Sequence, residues 1–434
     1  MDQRDRKNGA STALLTDHYE LTMLQAALRS GTAARRSVFE VFARRLPQGR
    51  RYGVVAGTGR FIEAVADFRF DPAELAFLAA TGVVDDTTAG YLEGYRFTGD
   101  VWGYAEGDCY FPESPILRVE GTFAEAVILE TLALSIFNHD CAIAAAASRM
   151  VHAAGDRPLI EMGSRRTHED AAVAAARAAY LCGFATTSNL EAGRTFGVPT
   201  AGTAAHAFTL LHDDERTAFA AQLAAFGQDT TLLVDTYDVT AAVALAIELA
   251  PDLRAVRIDS GDLRLVAEDV RKQLDALGAP GTRIVVTGDL DEYAIAALAV
   301  APVDGYGVGT SLVTGSGAPT ASLVYKLVAR EDASGVLAPV AKASPGKPSR
   351  GGRKHAYRRF TGEVASAEVV SAAEEHSAGA GDRPLQVPLI RAGEPVGREP
   401  LTAARDRHLR SLNELPAAAR HLSKGDPALP TVLS

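Results

Sequence analysis

The sequence predicts an α/β protein: an irregular (β/α) barrel with a second, smaller α+β domain. Strands that alternate with helices form parallel βα units, and a barrel of such units carries its active site at the carboxyl ends of its strands. Six apolar runs each end in polar or glycine-rich residues, at 159–166, 198–206, 232–238, 255–262, 283–289 and 305–310. Alanine-rich helical stretches separate these runs, at 168–181, 215–226, 240–250, 263–277 and 292–300.

The N-terminal part, residues 12–121, is predicted to be an α+β domain. Apolar residues at helical spacing follow a possible N-cap at Thr16 or Asp17, and an alternating pattern then predicts a strand. The predicted elements are a helix, a strand, two helices and a group of short strands, at residues 14–29, 37–43, 57–67, 72–80 and 95–119.

The rest of the chain divides into the barrel domain, residues 122–340, and a C-terminal segment, residues 341–434. Helical patterns from Thr122 to Met150 lead into the barrel. We expect the C-terminal segment to pack on the N-terminal domain. Its predicted elements are a basic loop or hairpin, a short strand and a helical region, at 342–358, 387–391 and 401–421.

Composition excludes several classes of function. The chain has 434 residues, a net charge of -10 and three widely spaced cysteines. An acidic protein is a poor general binder of nucleic acid or of anionic membranes, and three cysteines alone make neither a disulfide framework nor a zinc site. The apolar stretch at 241–250 is short and carries Glu248, so we expect no membrane span. We therefore expect a cytoplasmic protein with reduced thiols.

The last two strand ends suit a phosphate group. Gly288 and Asp289 follow one strand, and Gly309 and Thr310 follow the next. Glycines let backbone N–H groups approach an anion closely, and barrels of this type bind phosphate at their late loops. The alternative is a pair of ordinary glycine turns.

The strand around residue 257 carries two opposite charges. Arg257 and Asp259 point to the same face because side chains alternate along a strand, and buried charges are costly unless they are paired or coordinated. This pair could bind an anionic ligand and Mg²⁺, with further oxygens from Asp235 and Asp238. The alternative is a structural salt bridge.

Two arginines and a histidine follow other strands. Arg165 and Arg166 suit bidentate binding of a carboxylate or phosphate, although a solvated helix start is the alternative. His206 could act as a base, a metal ligand or a nucleophile. The competing histidines are His18, His139 and His168.

Seven short motifs occur in order between about residues 12 and 330: Thr16-Asp-His-Tyr-Glu-Leu-Thr-Met23, Phe39-Glu-Val-Phe42, Glu161-Met-Gly-Ser-Arg-Arg166, Thr187-Ser-Asn189, Gly202-Thr-Ala-Ala-His206, Arg257-Ile-Asp-Ser-Gly-Asp262 and Gly307-Val-Gly-Thr310. As an ordered set they resemble the nicotinate phosphoribosyltransferase family. The resemblance implies a two-domain type II phosphoribosyltransferase whose smaller domain is built from both chain ends.

The resemblance also implies residue roles. His206 would be phosphorylated by ATP, which is a co-substrate, and Tyr19 of a partner subunit in a homodimer would stack on nicotinate. Asp235 and Asp259 would serve the ribose hydroxyls and Mg²⁺. The other implied ligand-binding positions are Arg166 for the carboxylate or phosphates, Thr203, Arg257 and Thr310, with Gly288 and Gly309 at the 5′-phosphate.

The implied reaction joins nicotinate to 5-phosphoribosyl 1-diphosphate and yields nicotinate mononucleotide and diphosphate. Related nicotinamide enzymes carry an acidic residue near the position of Ser188, where a carboxylate would repel nicotinate, so a neutral serine favours the acid. The alternatives are a nicotinamide or quinolinate phosphoribosyltransferase and a catalytically inactive nucleotide-binding relative; the retained His206, Arg257 and Asp259 argue against the inactive relative. The chain departs from the family at Ala207 and Cys141, where serine is frequent.

Overall fold

The computed structural model describes residues 11–342, 350–372 and 381–433, so part of the basic stretch 342–358 lies outside the described residues. The chain divides into two compact units: a first unit of Met1–Ala142 with Thr320–Ser434, and a second unit of Ile143–Pro319. The sequence placed these breaks at 121/122 and 340/341. The unit built from both chain ends is the larger of the two, not the smaller, because it takes up residues 122–142 and 320–340.

In the first unit, residues 11–127 contain five α-helices and five strands. The helix predicted at 14–29 begins only at His18, because Asp17 has the extended backbone of an N-cap and Ala13–Leu15 forms a separate 3-10 turn. The helices are α1 His18–Arg29, α2 Thr58–Ala66, α3 Pro72–Ala80, α4 Asp86–Glu93 and α5 Phe123–Val127. The strands are β1 Arg36–Ala43, β2 Gly53–Val54, β3 Asp100–Tyr104, β4 Cys109–Tyr110 and β5 Leu117–Thr122.

A long helix, α6 Glu130–Ala154, contains the boundary between the two units. The helical segment Phe123–Ala154 is long and apolar enough to cross a membrane by length and composition, although the sequence predicted no membrane span. However, 67% of its most apolar window is buried inside the protein, as in the core helix of a globular protein.

The second unit contains a six-stranded parallel sheet with helices between its strands. The strands are β6 Leu159–Glu161, β7 Thr186–Thr187, β8 Thr231–Leu233, β9 Ala255–Ile258, β10 Arg283–Val286 and β11 Gly305–Val308, in the order β7-β6-β11-β10-β9-β8. The helices are α7 Glu169–Cys182, α8 Leu190–Phe196, α9 His206–Leu210, α10 Glu215–Phe226, α11 Val239–Leu249, α12 Leu263–Ala276, α13 Glu292–Ala297 and α14 Thr310–Val313. This mixed α/β architecture confirms the predicted class.

The sheet does not close into the predicted barrel within the described residues. The last strand, β11, pairs with the first, β6. The sheet stays open because its two edge strands, β7 and β8, do not pair with each other. The predicted strand at 198–206 is reduced to one parallel bridge between Thr187 and Thr200. Pro199 and Gly202 weaken this segment as a strand, since proline lacks a ladder donor and glycine lacks a packing side chain.

The C-terminal part returns to the first unit. The C-terminal elements are β12 Leu323–Glu331, β13 Leu337–Pro339, β14 His355–Thr361, β15 Val364–Ser371, β16 Arg383–Pro384, β17 Gln386–Arg391, β18 Glu394–Pro395, α15 Leu401–Asn413 and β19 Thr431–Leu433. A seven-stranded sheet has the order β13-β12-β1-β5-β3-β17-β18, and all its pairs are antiparallel. Because β12 pairs with β1 and β17 pairs with β3, both chain ends build one sheet.

Candidate active site

The carboxyl ends of the six parallel strands in the second unit lie along one edge of the sheet. Parallel strands place the residues that follow them side by side, and this edge is where α/β proteins bind ligands. Each strand is followed directly by one of the segments singled out from the sequence. These segments contain Arg166, Ser188, Asp235, Asp259, Gly288 with Asp289, and Gly309 with Thr310.

Arg257 organises the centre of this edge. It is the third residue of β9, and only 13% of its side chain is exposed. Its guanidinium group donates to Thr287 Oγ1 at 2.9 Å, Thr203 Oγ1 at 3.0 Å and Asp259 Oδ1 at 3.0 Å. The expected Arg257–Asp259 pair is therefore present, and it joins three neighbouring segments of the unit.

Asp259 is held as an anion. Its Oδ1 also accepts the hydroxyl of Thr287. Burial acts to raise the pKa of Asp259, but the hydrogen bonds from Thr287 and Arg257 outweigh it and lower that pKa below its usual value. A carboxylate with a depressed pKa stays charged at neutral pH, so this group can interact with a cation or with ribose hydroxyls.

Asp235 places a second carboxylate beside the first. Its side chain is only 2% exposed. Oδ2 accepts the backbone N–H of Asp259 at 2.9 Å and the hydroxyl of Ser260 at 2.6 Å, whereas Oδ1 is buried without a hydrogen-bond partner in the described part of the chain. A buried carboxylate oxygen left without a donor marks a place where a cation or a donor fits. Asp238, in contrast, caps α11 by accepting the N–H of Ala241.

His206 faces both carboxylates. It is the first residue of α9, and 41% of its side chain is exposed. Its Nε2 lies 3.9 Å from Asp235 Oδ1 and 4.0 Å from Asp259 Oδ2, while its Nδ1 lies 3.2 Å from Thr236 Oγ1. The imidazole of His206 is therefore accessible, its Nδ1 is hydrogen-bonded, and its Nε2 faces two carboxylates. This arrangement leaves Nε2 as the nitrogen that can react.

The competing histidines have other surroundings. His168 caps α7 and accepts the N–H of Asp170. His18 begins α1, and His139 hydrogen-bonds through Nδ1 to Asp140 at 2.8 Å; both belong to the first unit. Among the described histidines of the second unit, only His206 has Nε2 within 4.0 Å of two carboxylates.

The loops after β10 and β11 have the backbone geometry of close-approach turns. Gly288 has φ +110°, and a Cβ there would lie 2.7 Å from the carbonyl oxygen of Asp259. Asp289 has a positive φ of 45°. Gly309 precedes α14, and Thr310 is exposed at its first turn. Only four residues long, α14 has a small dipole, so backbone N–H groups rather than the helix would bind an anion here.

The remaining predicted residues occupy two places. Arg166 is exposed after β6, and Ser188 is half-buried after β7, with its N–H bonded to the carbonyl of Glu161 at 2.8 Å. Tyr19 belongs to the first unit and is 44% exposed on α1. Burial, followed by the nearby carboxylates of Glu130 and Glu20, raises the pKa of Tyr19, so its hydroxyl stays neutral.

Several residues at this edge were not assigned a role from the sequence. Thr287 holds both Arg257 and Asp259, Thr236 contacts His206, and Ser260 anchors Asp235. Each is the polar residue that directly follows a strand or a predicted site residue. The strand-end rule therefore contains the signal for them, although spacing alone does not show which hydroxyl meets which partner.

The second unit also contains a cavity of about 1060 Å³. Its lining includes the first residues of β8, β9, β10 and β11, so it lies at the amino ends of the strands. Of the predicted site residues only Thr203 lines it. The converging charges at the carboxyl edge, and not this cavity, therefore define the candidate site.

The site offers a partial coordination shell for a metal ion. No group of three or more His, Cys, Asp or Glu side chains among the described residues is arranged to hold a metal. Mg²⁺ commonly uses one or two carboxylates and completes its shell with water and substrate phosphates. The partnerless Oδ1 of Asp235, beside Asp259, fits that pattern.

Comparisons with known proteins agree with one another. The family model for the N-terminal domain of nicotinate phosphoribosyltransferase (NAPRTase) matches residues 14–138. A nicotinate phosphoribosyltransferase of Mycobacterium tuberculosis is 59% identical over 435 residues, which cover 98% of this chain and 96% of that protein. The crystal structure of human nicotinic acid phosphoribosyltransferase superposes with a TM-score of 0.81 at 27% identity and covers 97% of both chains. A nicotinate-nucleotide pyrophosphorylase structure from Pyrococcus furiosus superposes with a TM-score of 0.77 at 27% identity, covering 95% of this chain and 97% of that one.

Proposed function

Since this chain belongs to the nicotinate phosphoribosyltransferase family, we propose that the carboxyl edge of its second unit carries the family reaction and couples it to ATP through His206. The reaction joins nicotinate to 5-phosphoribosyl 1-diphosphate, releases nicotinate mononucleotide and diphosphate, and begins NAD synthesis from nicotinate. The observation that carries the proposal is the position of His206 Nε2 beside Asp235 and Asp259.

The charge pattern supports the binding of two anionic substrates. Arg257 and Arg166 supply cations, and the loops at Gly288 and Gly309 supply backbone donors for the 5′-phosphate. Asp289 and Thr310 add polar side chains to these loops, and Thr203 holds Arg257 in place at 3.0 Å. Bidentate guanidinium groups and backbone N–H groups are the usual phosphate ligands of proteins.

The transfer step needs positioning more than proton transfer. The C1–O bond to diphosphate breaks toward a cation-like ribosyl carbon, and the pyridine nitrogen attacks that carbon with a lone pair that is already free. Asp259, which is anionic at neutral pH, can accept hydrogen bonds from ribose hydroxyls. Fixing both substrates in reactive geometry supplies the main rate enhancement.

Asp235 and Asp259 are the residues that would hold Mg²⁺. When bound, the ion would neutralise the charge of the leaving diphosphate. The protein itself contributes the buried Asp235 Oδ1 and the Asp259 carboxylate, both within 4.0 Å of His206 Nε2.

His206 would accept a phosphoryl group from ATP. A hydrogen bond from Nδ1–H to Thr236 Oγ1 leaves the lone pair of Nε2 free, in the tautomer we assign from this contact. Nε2 attacks the γ-phosphorus, the bond to the bridging oxygen breaks, and ADP leaves. Later hydrolysis of the phosphohistidine would drive the equilibrium by favouring a tight-binding state.

Two further roles belong to the same proposal. Tyr19 of the partner in a cytoplasmic homodimer would stack on the nicotinate ring, and its neutral hydroxyl adds no charge that would repel the carboxylate. Neutral Ser188 near the carboxylate would favour nicotinate over nicotinamide. Burial of all three cysteines is compatible with a reducing compartment.

The phosphohistidine is tested by incubating the protein with γ-labelled ATP. We expect acid-labile label on the wild type, no label on His206→Ala, and full label on His168→Ala as a matched exposed histidine of the same unit. An unlabelled wild type, together with a His206→Ala variant that keeps its full ATP-stimulated activity, would overturn this assignment.

A further inference from the structure

A buried carboxylate, Glu161, lies behind the segment that carries Arg166. It is the last residue of β6 and is 1% exposed. Its two oxygens have different partners: one accepts the backbone N–H of Gly163, and the other accepts the hydroxyl of Thr187. No basic side chain pairs with it in the described part of the chain. A buried anion without a cation is costly, so an apolar side chain would suit a purely structural position in the core better.

The two bonds of Glu161 join two neighbouring strand ends. Gly163 begins the Arg166 loop, defined as residues 163–166, and Thr187 begins the Ser188 turn, defined as residues 187–189. The carbonyl of Glu161 also accepts the N–H of Ser188 at 2.8 Å. A carboxylate can accept from both donors at once, whereas an amide of the same shape offers one acceptor and one donor group.

Asn189 forms a second, independent link between the same segments. Its Nδ2 donates to Ser164 Oγ at 3.0 Å. This hydrogen bond joins the Ser188 turn, which contains Asn189, to the Arg166 loop, which contains Ser164. Its Oδ1 caps α8 by accepting the N–H of Ala192 at 2.8 Å, and its own N–H donates to Thr187 Oγ1 at 2.9 Å. Asn189 is thus held by hydrogen bonds at its backbone N–H and at its Oδ1, and its Nδ2 in turn holds the Arg166 loop.

The Arg166 loop is also packed from behind. A Cβ on Gly163 would lie 2.2 Å from Val313 Cγ1 and 3.2 Å from the carbonyl oxygen of Gly309. The N–H of Arg166 closes the loop by donating to the carbonyl of Gly163 at 2.8 Å. The backbone of the loop is therefore constrained, while the side chain of Arg166 is exposed at its end.

We propose that Glu161 and Asn189 are positioning residues for the nicotinate carboxylate, because together they hold the Arg166 loop against the Ser188 turn. Neither side chain needs to touch substrate. The inference rests on the proposed function, in which Arg166 binds the carboxylate and Ser188 accommodates it. Substrate selectivity would then depend on two links that hold these residues at a fixed separation, since a small misplacement of a binding group weakens recognition.

The link between Ser164 and Asn189 is the mildest place to test the proposal. Ser164→Ala removes only the acceptor, and Asn189→Ser keeps an N-cap for α8 but is too short to reach residue 164. For each single variant we expect the KM for nicotinate to rise about fivefold to tenfold, which is the effect of one hydrogen bond. The kcat and the KM for 5-phosphoribosyl 1-diphosphate should change less than about twofold, and the double variant should match the single ones, because both remove the same bond.

Glu161→Gln provides a second measurement, and Asp214→Ser provides the control. Glu161→Gln should raise the KM for nicotinate and reduce the preference for nicotinate over nicotinamide. Asp214 caps α10 through Thr217 in the same unit, so its replacement reports the effect of a changed cap alone and should leave that KM unaltered. A merely structural role would lower thermal stability and the active fraction without changing KM or the preference.

Unchanged KM values for nicotinate in Ser164→Ala and Glu161→Gln would overturn the proposal while leaving the proposed function intact. Fully additive effects in the double variant would do the same. If instead the wild type neither binds nor converts nicotinate, the proposed function fails, and the positioning role fails with it.

Discussion

In the proposed site, the two carboxylate oxygens of Asp235 have different roles, one structural and one chemical. One oxygen accepts the N–H of Asp259 and the hydroxyl of Ser260, which fixes the end of β9. The other oxygen is buried, has no hydrogen-bond partner among the described residues, and faces His206. Active sites retain such costly groups because their charge is used in the reaction. Because the two oxygens have different roles, replacing the carboxylate by an amide of the same shape tests one role while keeping the other.

Asp235→Asn should separate activity from stability. The amide oxygen can still accept the two structural donors, but the charge facing His206 is lost. We expect ATP-dependent labelling and ATP-stimulated kcat to fall at least about tenfold, while the melting temperature stays the same or rises, because a buried unpaired charge has been removed. Asp213→Asn, at an exposed aspartate of the same unit, is the control for the loss of one charge. A stable variant with normal labelling would contradict this role for Asp235.

Glu161 should make stability depend on pH. Burial raises its pKa in the folded protein above the usual value of 4.5. In the window between those two values the folded state binds more protons than the unfolded state, so the contribution of Glu161 to stability grows as the pH falls. We therefore compare the unfolding free energies of the wild type and Glu161→Gln by urea denaturation. The wild-type value minus the variant value should be larger at pH 5 than at pH 8. A difference that is constant between these pH values would contradict the raised pKa.

The sequence predicted which residues meet but not how they bond. The strand-end rule placed His206, Arg257 and Asp259 together because parallel strands end at one edge. The rule could not show that Thr287 bridges Arg257 and Asp259. Which groups a hydroxyl bonds to depends on the exact positions of side chains from different segments, and these positions are set by the tertiary structure. Roles that distinguish nicotinate from other substrates came from the family resemblance and from Ser188, not from periodicity.

At the scale of the structural elements, the loop between β10 and α13 is sterically tight at Gly288. Gly288 combines a left-handed backbone with a close approach to the backbone of Asp259. A glycine is needed for both reasons. The loop that would bind the 5′-phosphate thus contacts the backbone of Asp259, the residue that follows β9 and carries the proposed catalytic carboxylate.

Gly288→Ala should weaken substrate binding more than the strain of a positive φ alone would. Its Cβ would lie 2.7 Å from Asp259 O, so the loop or the end of β9 must move. We expect kcat/KM for 5-phosphoribosyl 1-diphosphate to fall at least about tenfold. Gly278→Ala is the matched control, because it also has a positive φ of 79° but would meet nothing within 4 Å. It should cost about 1–2 kcal/mol of stability and leave kcat/KM unchanged; equal effects of the two variants would contradict the explanation.

Helices were predicted more accurately than the sheet. Helix α10 begins and ends at the predicted residues 215 and 226, because N-cap Asp214 and the following Gly227 mark both ends locally. The segment 198–206 was predicted as a strand, but only Thr200 bridges to the sheet. Strand pairing depends on partners far along the chain, and a short apolar run cannot show whether a partner accepts it.

At the scale of the molecule, the proposal requires residues from both units. Tyr19 and its neighbour Glu130 belong to the first unit, whereas His206, Arg257 and Asp259 belong to the second. In a homodimer with shared sites, each site would combine Tyr19 of one subunit with the second unit of its partner. This division between two copies was implied by the family resemblance and not by the residues themselves, because a single chain carries no record of which copy supplies a residue.

Subunit mixing tests the shared site. Tyr19→Ala and His206→Ala should each have low activity at nicotinate concentrations below KM. When the two are unfolded and refolded together, half of the dimers are mixed and contain one intact site, so activity should return to about a quarter of the wild-type value. Refolding each variant alone controls for refolding yield. Activity that never exceeds the mean of the two variants would contradict a shared site.

The central claim, ATP-coupled transfer to the acid rather than the amide, is tested most directly by one assay. Mononucleotide formation from 5-phosphoribosyl 1-diphosphate is measured with nicotinate and with nicotinamide at equal concentration, each with and without ATP. The proposed site predicts rapid product formation from nicotinate, further stimulated by ATP, and at least about a tenfold slower reaction with nicotinamide. Equal or faster conversion of nicotinamide, or conversion of nicotinate that ATP does not change, would contradict it.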